Sequence, residues 1–273
     1  MYNFNGKLSA NGPLIMGILN VTEDSFYDGG RYVNDEAIRK RAAQILTEGG
    51  DIIDIGAMST RPNAMEIPET EEVTKIVHAV HLIREEYPDA ALSIDTYRAC
   101  VARAAVQAGA DMINDISGGT FDTDMIPTIG ELQVPYCLMH TTAKPSVMQQ
   151  NTVYEDIFGD ILKFFGRQLA VLHAHHVHDI ILDPGFGFGK TLEQNYLLMN
   201  NLEIFLELGY PLLVGISRKS MIYKLLETTS EHALNGTTVL NTIALMKGAS
   251  ILRVHDVKEA FETRKIVSQL LTF

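Results

Sequence analysis

Cationic residues are scarce in this chain: 22 lysines and arginines stand against 34 aspartates and glutamates, for a net charge of −12. No basic run is long enough to form a stripe, so nucleic acid, which is bound largely by counterion release, is excluded as a partner. An anionic small molecule would have to be held by locally placed Arg, Lys or His, by backbone N–H groups or by a metal. There are only two cysteines, Cys100 and Cys137. Neither has a metal-ligand or redox spacing, and both are expected to be reduced thiols of the core. No apolar stretch approaches the roughly 18 residues of a membrane span, and no basic-then-apolar leader opens the chain, so a cytoplasmic protein without membrane contact is expected. With 46% apolar and 21% charged residues and only 9 prolines, the composition supports neither disorder nor a repeat array.

What the sequence does have is alternation. Short β-branched or aliphatic runs at residues 14–19, 51–55, 91–94, 111–113, 135–139, 179–182, 212–215 and 250–254 are separated by longer segments of helical period. Those at 35–48, 69–86, 97–108, 154–173 and 192–208 carry apolar residues three and four apart, the pattern of amphipathic helices. Eight apolar strands interleaved with helices favour a parallel sheet buried on both faces. The length of 273 residues suits one domain over 1–273, close to the roughly 250 of a (β/α)₈ TIM barrel.

A doubly wound open sheet has the same alternation but gives no reason for polar residues to end nearly every strand. Here they do: Asn20, then Ser59, Thr60 and Arg61, then Asp95, Asn114, His140, Asp183, Ser217 to Lys219, and Arg253 with His255. In a barrel these positions ring the C-terminal face, where such folds build their sites.

Some of these residues carry chemical meaning individually. Asp95 and Asn114 have an alternative role as helix caps. Asp183, between an apolar run and Pro184, is a carboxylate that needs a partner at a barrel mouth, and a heterocycle presenting two adjacent N–H groups would be one. The segment Gly185-Phe-Gly-Phe-Gly-Lys190 lacks both the P-loop and the Rossmann glycine spacing. It is read as a flexible loop that covers a ligand, with Phe186 or Phe188 against an aromatic ring. Ser217-Arg-Lys-Ser220 opens a helix, whose free N–H groups favour a carboxylate or phosphate. Arg253 and His255 alternate along one strand, leave the same face and, with Arg61, supply the cationic site that an acidic protein needs. The tract His173-Ala-His-His-Val-His178 precedes the sixth strand and falls at the opposite end of the barrel, where solvated helix-end histidines are expected rather than a metal cluster.

These segments, with Met16-Gly-Ile-Leu-Asn-Val-Thr, Ser59-Thr-Arg-Pro62, Ser93-Ile-Asp-Thr, Ile113-Asn-Asp-Ile and Arg253-Val-His-Asp256, occur in an order along nearly the whole chain that resembles the dihydropteroate synthase family. The resemblance implies condensation of a dihydropterin pyrophosphate with p-aminobenzoate, releasing pyrophosphate. It implies that Asp95, Asn114, Asp183 and Lys219 hold the pterin, with Met139 and Phe188 lining its pocket. Asn20 would reach a Mg²⁺ ion on the pyrophosphate, Arg61, Arg253 and His255 would bind the phosphates, and Thr60, Pro62 and Ser220 would surround p-aminobenzoate. It also implies a homodimer, and closure of the loops at 21–31 and 57–66 over the site.

The chain departs from the family's usual residues at Glu23, at Met58 and over 141–146, and is unusually polar over 235–242. A pterin-binding methyltransferase would share the Asp, Asn, Asp pocket but would not need 59–62, 217–219 or Arg253 with His255. A non-catalytic pterin-binding paralogue is the other alternative, and no residue expected for catalysis is missing.

Overall fold

The computed structural model describes residues 12–21, 31–58, 67–144, 147–148 and 152–271, without the side chains of 31–34. All eight apolar runs become parallel strands: β1 (Leu14–Asn20), β2 (Ile52–Gly56), β3 (Ala91–Asp95), β4 (Met112–Asp115), β5 (Tyr136–Met139), β6 (Ile180–Asp183), β7 (Leu213–Val214) and β8 (Ile251–Val254). Helices α1 (Arg31–Thr47), α2 (Glu69–Glu86), α3 (Ala99–Gln107), α4 (Met125–Leu132), α5 (Ile157–Ala174), α6 (Leu192–Asn200), α7 (Ser220–Tyr223), α8 (Leu234–Met246) and α9 (Val257–Leu270) connect and follow them. The sheet order is β6-β5-β4-β3-β2-β1-β8-β7. A parallel bridge between Leu182 and Leu212, with the Leu182 N–H donating to Pro211 O at 2.9 Å, brings its two ends together into a nearly closed barrel.

Successive strand residues point to opposite sides of a sheet, and the core divides accordingly. Ile15, Ile53, Ile55, Leu92, Ile94, Ile113, Leu138, Leu182, Val214 and Leu252 face outward and join the large cluster under the helices. Leu14, Met16, Ile52, Ala91, Met112, Cys137, Ile181, Leu213 and Ile251 form a separate cluster that plugs the lumen. The next inward position on each strand, from β1 to β8, is then Ile18, Asp54, Ser93, Asn114, Met139, Asp183, Gly215 and Arg253. An apolar plug with a polar layer above it follows directly from the two-residue period.

Four expectations are corrected. The helical pattern at 192–208 breaks after Asn200, where the Asn201 side chain donates to Leu197 O at 2.9 Å and the chain continues as a 3₁₀ helix over Leu202–Leu208. Cys137 is buried in the plug, but Cys100 is exposed at the start of α3 and is not a core thiol. The helix opened by Ser217 to Ser220 is α7, a single turn, which carries little of the macrodipole expected of it. The loop at 184–191 is internally tied rather than flexible, through bonds from the buried Lys190 to its own carbonyls. None of the described helices is long and apolar enough to cross a membrane.

Candidate active site

The polar layer begins with a network across the lumen. Arg253, reaching in from β8, donates from Nε to Asp54 Oδ2 and from Nη2 to Asp95 Oδ2, each at 2.6 Å. Asn114 Nδ2 donates to the same Asp54 oxygen at 3.1 Å. Neither Asp95 nor Asn114 is a helix cap: α3 is preceded by Arg98, whose side chain makes no cap bond, and Ala99 N donates instead to Asp122 Oδ2 at 2.7 Å. Burial raises the Asp95 carboxyl to about 7, with Arg253 opposing the rise and Asp54 adding to it.

Across the mouth, Asp183 at the end of β6 accepts from Gly185 N at 2.7 Å. Its pKa is raised by burial against the opposing effect of Lys219. Lys219 donates to Phe186 O at 2.5 Å and lies 4.6 Å from the centre of the Phe188 ring. Burial lowers its pKa to about 8, although Asp183 favours its charge. Gly215 lies beside these groups, and a Cβ there would make only ordinary contacts, 3.7 Å from Arg253 Cβ and 4.0 Å from Lys219 Nζ. Beside them Tyr97, Ile116, Met139, Met148 and Phe188 form a small apolar cluster at the mouth. One wall is therefore charged and the other aromatic and aliphatic, which suits a flat heterocycle with polar edges.

The 184–191 loop owes its order to Lys190. This buried ammonium donates to Gly185 O at 3.0 Å and Phe188 O at 2.9 Å and sits 3.1 Å from His140 Nδ1. Burial lowers it to about 7, and burial with Lys190 beside it holds His140 down at about 2. Gly187 N donates to Asn195 Oδ1 at 2.7 Å, Tyr154 Oη to Gly189 O at 2.9 Å, and Thr191 with Gln194 closes a capping box at the start of α6. Gly185 must be glycine: its φ is +73° and a Cβ there would fall 2.0 Å from His140 O. Phe186 is fully buried in the main core and unavailable to a ligand, which leaves Phe188.

At the rim, Asn20 ends β1 with its side chain exposed. His255 is exposed after β8, with its Nδ1 and backbone N both 3.1 Å from Ser217 Oγ. Desolvation by its neighbours and the nearby Arg253 lower its pKa, which favours a neutral imidazole. Ser220 is half-buried at the start of α7. Arg218 turns away from the mouth and holds Asp256 through Nε at 2.9 Å and Nη2 at 2.7 Å. Thr60, Arg61 and Pro62, together with Glu23 and most of the two loops expected to close, lie outside the described residues.

Thus the fold brings Asp95, Asn114, Asp183, Lys219, Arg253, Met139 and Phe188 around one mouth, with Asn20, His255 and Ser220 near its rim. Asp54 went unnoticed in the sequence, as did the pairing of Lys190 with His140. Asp54 had a usable signal, since it is the inward-phase residue in Ile-Ile-Asp-Ile-Gly. The histidine tract ends α5 on the side where strands begin, with His173 stacked on His178 at 5.8 Å and its Nε2 3.0 Å from Tyr210 Oη. Among the described residues no cluster of three or more His, Cys, Asp or Glu is arranged to hold a metal.

A parallel barrel whose C-terminal mouth combines buried carboxylates, two cations and an aromatic wall defines a class: residues 16–255 match the family of pterin binding enzymes. A dihydropteroate synthase of Clostridium beijerinckii is 44% identical over 255 residues, covering 92% of each chain, and one of Escherichia coli K12 is 39% identical over 268 residues, covering 97% of this chain and 94% of its own. The Yersinia pestis dihydropteroate synthase solved with a sulfonamide drug superposes with a TM-score of 0.91 at 40% identity over 97% of both chains. The Xanthomonas albilineans dihydropteroate synthase solved with 4-aminobenzoic acid also gives 0.91, at 32% identity over 100% of this chain and 98% of its own. The chain belongs to the dihydropteroate synthases, transferases of folate biosynthesis.

Proposed function

We propose that this chain, working as one domain over 1–273, condenses 6-hydroxymethyl-7,8-dihydropterin pyrophosphate with p-aminobenzoate to give 7,8-dihydropteroate and pyrophosphate. The observation that carries the reading is the placement of Asp183 and Lys219, whose opposite charges act on each other across the mouth, beside the Phe188 and Met139 wall. In this reading Asp183 accepts from adjacent N–H groups of the pterin, Asn114 and Asp95 meet its other polar edge, and Phe188 and Met139 cover its face. The carbon–oxygen bond between the pterin methylene and the pyrophosphate breaks, and the bonding pair leaves with oxygen. Arg253, His255 and Arg61 receive the pyrophosphate. The electron-rich dihydropterin delocalises the cation, and the p-aminobenzoate nitrogen, held near Thr60, Pro62 and Ser220, forms the new bond and then loses a proton. No protein nucleophile is needed.

The donor set at the rim fits Mg²⁺ brought in on the pyrophosphate. Asn20 offers one exposed amide oxygen without a carboxylate cluster among the described residues, and Mg²⁺ commonly keeps its waters and substrate phosphates as its other ligands. When bound, the ion would neutralise charge developing on the leaving pyrophosphate. The sulfonamide bound by the Yersinia pestis relative supports competition by such drugs for the p-aminobenzoate position.

The reading also includes a cytoplasmic homodimer. Val239, Ile243 and Met246 make an exposed apolar stripe along α8, and Ile266 and Leu270 another on α9, which packs beside it. Sedimentation should give twice the chain mass, and an aspartate at Val239 should return it to the monomer.

The deciding experiment follows pyrophosphate release from the pterin ester with Mg²⁺, with and without p-aminobenzoate, and identifies the pterin product. Release coupled to dihydropteroate is expected. Pterin binding without release overturns the synthase reading in favour of a methyltransferase-like or non-catalytic binder.

A further inference from the structure

Asp54 lies beneath the groups assigned to substrate and touches none of it in the proposed reading. It is fully buried, so its charge needs compensation from within the barrel. Oδ2 accepts from Arg253 Nε at 2.6 Å and from Asn114 Nδ2 at 3.1 Å, while Oδ1 meets no donor among the described residues. Compensation therefore comes chiefly from Arg253. The guanidinium is a rigid plane, and fixing its Nε sets the direction in which its two Nη groups point. One of them, Nη2, is 2.6 Å from Asp95 Oδ2.

We propose that Asp54 is a positioning residue that tethers Arg253 by Nε while Nη2 exchanges Asp95 for pyrophosphate, so that filling the pterin site arms the phosphate site. The inference rests on the synthase reading given above. When pterin N–H groups satisfy Asp95, Arg253 Nη2 loses its partner and becomes available to an anion. The guanidinium does not swing free, because the bond from Nε to Asp54 holds the plane in place. Before the pterin arrives, the charge of the same guanidinium is offset by two carboxylates, which weakens its hold on pyrophosphate. The two halves of one substrate are thus coupled through Asp95 and Arg253, with Asp54, which binds neither half, holding the guanidinium in place, and the coupling is reciprocal.

The test measures the affinity of inorganic pyrophosphate, with Mg²⁺, in the absence and presence of saturating 6-methylpterin. In the unaltered chain the pterin should tighten pyrophosphate binding by about tenfold, within the range usual for coupled sites. Asp54→Asn, nearly isosteric, should bring that factor close to one while still binding the pterin. A merely structural role for Asp54 would weaken both ligands and leave the factor unchanged. An unchanged factor in Asp54→Asn, or no coupling in the unaltered chain, overturns the proposal.

Should Asp54→Asn fail to fold, Arg253→Lys replaces it. A single ammonium cannot span Asp54 and Asp95 with two directed bonds, so coupling should again vanish, and its retention overturns the proposal. Turnover of the unaltered chain is measured alongside. Coupling without dihydropteroate formation would mean that the synthase reading fails and the tether stands, whereas turnover without coupling would mean the reverse.

Discussion

At the scale of single residues, burial at the mouth works against every charge, and the carboxylates and ammonium groups offset one another only partly. Asp95 is raised from its ordinary range to about 7, and Lys219 is lowered to about 8. If Asp95 must be ionised to accept from the pterin and Lys219 protonated to favour the anion, kcat/KM for the pterin ester falls below pH about 7 and above about 8. The expected profile is a narrow bell, and a plateau running through either limb would show that the corresponding group does not set activity. Asp183 is tested separately. Asp183→Asn keeps the shape but replaces one acceptor oxygen with a donor amide, which should weaken pterin binding by roughly 10- to 150-fold, the equivalent of one charged hydrogen bond. Calorimetric titration with the pterin measures it, and unchanged affinity would remove Asp183 from the pocket.

At the scale of elements, the segment between β6 and α6 shows how one buried cation can organise a loop. Lys190 gathers two carbonyls and an imidazole, and the loop so formed presents Phe186 O to Lys219 and Phe188 to the mouth. Lys190→Met should leave the barrel folded and raise KM for the pterin by about tenfold with a smaller effect on kcat, as loss of a supporting interaction does.

The same variant carries a pH signature. The Lys190 pKa is depressed to about 7 in the fold from 10.5. Its contribution to stability is therefore present above pH 10.5 and lost as pH falls through about 7. Relative to Lys190→Met, the unaltered chain should lose stability across that window. Melting curves at several pH values check this, and a constant difference would mean that Lys190 is not held near neutral pKa.

At the scale of the whole molecule, the barrel is uneven around its circumference. β1 with β2 and β2 with β3 each align five residue pairs, whereas β7 has two residues and meets β6 through the single Leu182–Leu212 bridge. Opening should begin at that seam, because fewest backbone bonds must break there. Native-state hydrogen exchange is expected to show Leu213 and Val214 amides opening at lower free energy than those of Ile53 and Ile55. Equal protection would mean that the barrel opens only as a unit. The seam adjoins Lys219 and Asp183, so the weakest part of the cylinder lies beside the proposed pterin pocket.

Much of this was legible from residue order alone, because strand spacing and the two-residue period are local properties of the chain. Eight apolar runs imply the barrel, and a polar residue just past each run must come out near its mouth. Periodicity could not say which of two neighbours is used. Arg218 adopts φ +56° and pairs with Asp256 while Lys219 enters the mouth; Phe186 is committed to the core while Phe188 faces the pocket. Nor did periodicity identify Asp54 as a shared acceptor, since its partner Arg253 is 199 residues away. Those choices depend on contacts between distant strands, and the low polarity of a closed lumen makes each unpaired charge costly enough to dictate them. Composition, order and period therefore settled the architecture and the ring of candidates, while pairing across the barrel decided which side chains face a substrate and which hold the others in place.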